Sequence, residues 1–153
     1  MLTEEEKEEI RKSLKDVVHK REAVSDALKV VQRHRGWISG ELPEVAEMLG
    51  MSPAEVDSIA TFYSLIFRRP VGKHVILLCD SFCCWIMGYR EVFEHLSTRL
   101  GVGFGETTED GQFTLLPVCC IGACGVAPAM MVDEELYGDL TPEKIDSILE
   151  DYK

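Results

Sequence analysis

Six cysteines lie in two short segments, Cys79-Asp-Ser-Phe-Cys83-Cys84 and Cys119-Cys120-Ile-Gly-Ala-Cys124. If their thiols are to act together, the fold must carry both segments to one place, and no other feature of the chain narrows the architecture as much. Thiolates select zinc, copper(I) or iron-sulfur clusters, and four of them converging from two loops can close around one metal centre.

The chemistry of cysteine depends on the compartment. The N-terminus, rich in Glu and Lys, lacks the basic region and apolar stretch of a signal peptide, so the expected location is the cytoplasm, where thiols stay reduced. Clustered cysteines there read as ligands or catalytic thiols, not as a disulfide framework. The chain has 153 residues, 46% hydrophobic and 28% charged, and no apolar run near the length of about 20 residues that a membrane span needs. A net charge of -11 argues against a nucleic-acid partner, since Arg68-Arg69 is only a doublet and the other basic residues are interleaved with acids. The excess of acid has a plain reading as surface solvation. It has a sharper one as a field that lowers the potential of a redox centre near it.

Residues 1–70 are expected to form an N-terminal four-helix domain. Thr3 with Glu6 is a capping-box pattern, followed at helical spacing by Ile10, Leu14, Val17 and Val18. Val24, Ala27, Leu28 and Val31 make a second stripe that stops near Gly36, and Leu42, Val45, Ala46 and Leu49 a third that ends at Gly50. Ser52-Pro53-Ala54-Glu55 then starts a fourth helix with an N-cap, a first-turn proline and a capping glutamate, and Val56, Ile59, Ala60 and Tyr63 form its apolar face.

After Pro70 the pattern changes, and residues 71–153 read as a second, mixed domain. His74 to Cys79 is a short aliphatic run, as expected of a buried strand. Residues 85–100, with Ile86, Tyr89, Phe93, Leu96 and Leu100 on one side, suit a crossover helix. Phe113 to Val118 and Pro128 to Val132 are further strands, Glu135 to Tyr137 a short return strand, and Thr141-Pro142 opens a last helix. The whole is an α+β or α/β arrangement in which Gly101 to Glu106 is a turn. If the first two strands are parallel, both cysteine segments emerge at the same carboxyl edge of the sheet, where open α/β sheets place their ligands.

Spacing leaves a choice between Cys83 and Cys84 and between Cys119 and Cys120, because adjacent cysteines rarely both ligate one centre. It also leaves a structural zinc site open beside an iron-sulfur cluster, in which case the chain would be a zinc-binding interaction protein. A thiol oxidoreductase on a thioredoxin-like scaffold is weakened by the absence of any Cys-x-x-Cys. His19 and His34 fall in helices of the N-terminal domain, His74 starts a strand and His95 lies on a polar helix face, so the histidines read as surface or structural residues. No catalytic acid-base pair stands out.

Cys79-x4-Cys84 followed by Cys120-x3-Cys124, preceded by Ala60-Thr-Phe-Tyr63-Ser and enclosing Thr114-Leu-Leu-Pro-Val118, resembles the small 2Fe-2S subunit of bacterial respiratory complex I over nearly the whole chain. The resemblance implies a helical N-terminus followed by a thioredoxin-like ferredoxin domain. It also implies one 2Fe-2S cluster held by Cys79, Cys84, Cys120 and Cys124, with Cys83 and Cys119 outside the ligand set. FMN and NADH are expected on a larger partner subunit, with which the cluster would exchange one electron. The chain would then be peripheral to the inner membrane through the assembled complex. Related subunits serve NAD-linked hydrogenases and formate dehydrogenases, which the resemblance leaves open as hosts.

Overall fold

Thr3 and Ser52 open two N-terminal helices by the same reciprocal device in the computed structural model, which describes residues 1–152. The Thr3 side chain accepts from the Glu6 N–H while Glu6 accepts from the Thr3 N–H, and Ser52 and Glu55 do likewise. The first helix, α1, is Glu4–Ser13; α2 is Val24–Arg35, α3 Leu42–Leu49 and α4 Pro53–Phe62. A 3₁₀ turn at Lys20–Ala23 leads into α2. Gly50 ends α3 in the left-handed region at φ 67°, a conformation that costs glycine least.

Three details depart from the sequence reading. α1 stops at Ser13, whose hydroxyl turns back to the Ile10 carbonyl at 2.8 Å, so Val17 and Val18 lie outside it and Val18 is exposed. His19 precedes the 3₁₀ turn and is not in a helix. Tyr63 is the residue after α4, half exposed and stacked edge-on against Phe62, and so takes no part in the buried face.

The chain divides into two compact units at Pro70/Val71. In the first, Ile10, Leu28, Val31, Val45, Leu49 and Val56 meet in one apolar core. Beside it Glu6 is 1% exposed and receives Arg35 Nε at 2.6 Å and Nη2 at 2.7 Å, while Arg35 Nη1 reaches Glu41 at 2.6 Å. A buried carboxylate is tolerable only when paired in this way.

In the second unit the strands are β1 His74–Cys79, β2 Glu106–Thr107, β3 Phe113–Val118, β4 Met130–Val132 and β5 Glu135–Tyr137, in sheet order β2-β3-β1-β4-β5. The central strand β1 pairs parallel with β3, the condition under which the sequence brings both cysteine segments to one edge, and antiparallel with β4. Helices α6, Tyr89–Leu100, and α7, Pro142–Asp151, share a core with Ile76, Leu78, Leu115, Met130 and Val132, which alternate along their strands to one face. A mixed five-stranded sheet packed with helices, in a chain that opens with four helices, is the α+β arrangement that the sequence leads one to expect. No helix among the described residues is long and apolar enough to cross a membrane.

The single crossover helix expected over 85–100 is two helices. α5 is Phe82–Ile86, and Gly88, at φ 111°, redirects the chain into α6. Only glycine adopts that conformation readily, so the break is built into the sequence. It leaves Ile86 exposed instead of on the buried side. The segment read as a turn ends in β2, where Glu106 and Thr107 pair with Leu115 and Thr114.

Candidate metal centre

Cys79 is the last residue of β1 and stands in register with Val118, the last residue of β3. Parallel pairing therefore delivers the chain after both strands to one sheet edge. Asp80 N–H donates to the Val118 carbonyl at 2.8 Å and Cys79 N–H to the Ala129 carbonyl at 3.1 Å, which fix the first cysteine segment between β3 and the approach to β4. Cys84 follows in α5, 2% exposed, and Cys79 is buried to the same degree. Cys120 and Cys124 are exposed on the loop after β3, where Gly122 takes a φ of 77° and a 3₁₀ turn begins at Cys124.

The two segments meet. Cys79 is a close neighbour of Cys84 and Cys120, and Cys120 of Cys124 and Ser81. All six cysteines are free. Cys83, half-buried, lies beside Cys124; Cys119 is exposed. The thiols stand as neighbours and not as a closed shell: among the described residues no three His, Cys, Asp or Glu side chains form a group that could hold a single metal ion.

Their surroundings differ. Burial pushes the free Cys84 thiol up to about 11, partly opposed by the Ala129 N–H and reinforced by Cys79 and Cys124. Cys120 moves the other way, because the Gly122 N–H donates to its sulfur at 3.4 Å and the nearby Ser81 side chain acts in the same direction. Cys124 is raised, first by Cys83 and then by burial. Backbone N–H groups aimed at sulfur are the contacts by which a protein tunes an iron-sulfur centre. Free thiols from two segments, an inner buried pair and an outer exposed pair, and a donor already seated on one sulfur make a site that fits a 2Fe-2S cluster at the protein edge.

Sequence reasoning did not single out Ser81, Ala129 or Trp85. Ser81 lies inside the first cysteine segment and could have been read there, whereas nothing in the sequence marks the Ala129 N–H. His74 and His95, read as structural from the sequence, are engaged by carboxylates: His74 pairs with Asp133 at 2.7 Å and His95 with Asp146 at 2.9 Å. An open cleft of about 550 Å³, lined by Arg99, Asp110, Phe113 and Leu149, lies towards the opposite end of β3.

Residues 8–153 match the family of thioredoxin-like 2Fe-2S ferredoxins. A small NADH-quinone oxidoreductase subunit from Pseudomonas aeruginosa is 45% identical over 99% of this chain and 92% of its own length, and its counterpart from Escherichia coli is 46% identical with the same coverage. Among solved structures, an NAD+-reducing NiFe-hydrogenase in the air-oxidized state superposes with a TM-score of 0.73 at 23% identity, over 84% of this chain. This chain spans 22% of that hydrogenase chain, and the likeness is one of fold.

Proposed function

The chain belongs to the thioredoxin-like 2Fe-2S ferredoxin family, and from that premise we propose that it is the electron-transfer subunit of an NADH:quinone oxidoreductase, with one 2Fe-2S cluster held by Cys79, Cys84, Cys120 and Cys124. The observation that carries the reading is the parallel register of β1 and β3, which brings both cysteine segments to one sheet edge. When bound, the cluster supplies a centre that takes up and gives back one electron.

The residues divide the work. Cys79 and Cys84 anchor the buried side, Cys120 and Cys124 the exposed side, and the Gly122 N–H lends a hydrogen bond to the Cys120 sulfur, with Ser81 close by. The exposed side faces solvent, as electron exchange with another protein requires. Its partner in this reading is the subunit that carries FMN and the NADH site, which places the chain in the peripheral arm of the complex. The near full-length relatives support an NADH:quinone oxidoreductase as the host.

Low-temperature EPR on the anaerobically purified, dithionite-reduced chain, with iron and acid-labile sulfide analysis, tests the centre. About two irons and two sulfides per chain with the paramagnetic signal of a reduced 2Fe-2S cluster are expected. Zinc without sulfide, from a preparation handled so that no cluster is lost, would overturn the reading. For the role, NADH should reduce the centre only when the flavin-bearing subunit is added.

A further inference from the structure

Asp80 directly follows Cys79 and Trp85 directly follows Cys84, so each flanks one of the two buried thiols. The Trp85 indole N–H donates to the Asp80 carboxylate. Both partners are fixed from behind: Asp80 N–H is bonded to Val118 at 2.8 Å and Trp85 N–H to Ser81 at 2.9 Å. The indole ring is held as well, stacked on Tyr89 at a centroid separation of 5.0 Å, and Tyr89 continues the stack to Phe93, which lies on Phe104.

The kind of donor matters. Several carboxylates elsewhere are matched by cations, Glu6 and Glu41 by Arg35, Asp57 by Arg68 and Asp146 by Arg99, whereas Asp110, like Asp80, is held by neutral donors. Among the described residues Asp80 has no Lys or Arg partner, and the group that orients it is neutral. An indole N–H can fix a carboxylate in position without cancelling its charge. The field reaches its surroundings, for the Tyr89 hydroxyl is raised by burial and then by Asp80.

We propose that Trp85 is a positioning residue that holds the un-neutralised Asp80 carboxylate beside the cysteine cluster and so lowers the reduction potential of the centre. This rests on the 2Fe-2S reading above. The added electron enters a site already facing a fixed negative charge, which disfavours the reduced state.

EPR-monitored redox titration of the cluster-loaded full chain tests the proposal with Asp80→Asn, Trp85→Phe and the double variant. Phenylalanine keeps an aromatic ring to stack on Tyr89 and removes the N–H with the rest of the five-membered ring. Asp80→Asn should raise the midpoint potential, and Trp85→Phe should raise it by less, as the carboxylate swings into solvent. The double variant should match Asp80→Asn alone. Equal potentials in all loaded chains overturn the proposal, and so does a Trp85→Phe shift that adds in full to that of Asp80→Asn. Asp80→Asn is an exposed, isosteric change, so an unmoved potential in that variant alone is decisive even if Trp85→Phe loads poorly. A wild-type chain that takes up no iron and sulfide overturns the cluster reading itself, an outcome distinct from loaded chains with unshifted potentials.

Discussion

Cys79 and Val118 occupy the same register position at the ends of parallel strands β1 and β3. Each strand then leads into a cysteine-bearing segment, so one backbone pairing decides that both segments share an edge.

The ligand assignment predicts a sharp contrast within the cysteines. Serine at Cys79, Cys84, Cys120 or Cys124 should lower retained iron and sulfide by about tenfold or more, beyond the loss that an outer-shell change brings. Cys83→Ser and Cys119→Ser should load like wild type. Metal and sulfide analysis of the six variants checks this, and a Cys83→Ser chain that loses its cluster while Cys84→Ser keeps it would reverse the assignment.

Leu115 and Ile76 are paired across β1 and β3, fully buried under α6 and α7. Leu115→Ala leaves a cavity that this packed layer cannot close, at a cost of about 2–5 kcal/mol. Urea unfolding followed by circular dichroism should show a lowered midpoint with little change in slope.

Gly72 marks the entry to β1. A Cβ there would sit 2.9 Å from the Phe113 carbonyl carbon and 3.0 Å from Gln112 backbone atoms, while the Gly72 N–H donates to Thr114 at 2.6 Å. Because the obstruction is backbone, no rotamer change relieves it. Gly72→Ala should cost about 1–3 kcal/mol, measured by the same unfolding experiment.

Acid should weaken the N-terminal unit through Glu6. Its hydrogen bonds from Arg35 lower the carboxyl from an ordinary 4.5 to about 2. A folded-state value below the unfolded one gives stability that is complete above 4.5 and lost as pH falls towards 2. The size is about 3 kcal/mol. Glu6→Gln should remove that contribution at neutral pH and flatten the dependence, so that mutant and wild type converge near the acid end of the titration. Parallel curves at all pH values would show that Glu6 does not carry the effect.

The helices were legible where their signals are local. Thr3 with Glu6, and Ser52 with Pro53 and Glu55, carry a complete start signal within a few residues. Gly88 was in plain view, yet its effect depended on where the chain had to turn, and a helical stripe running through it concealed the break between α5 and α6. β2 was missed because two residues cannot display an alternating pattern, and it is a strand only through its pairing with β3.

The sequence by itself determined that the centre is built of thiols. The thiols, their grouping into two segments and the strand ahead of each are all local facts. Tertiary structure decided which thiols are buried, that Cys79 and Cys120 become neighbours, and that a neutral indole ties down the Asp80 carboxylate. Those relations join parts of the chain through backbone pairing and stacking, and their energies arise only when the sheet and its helices close.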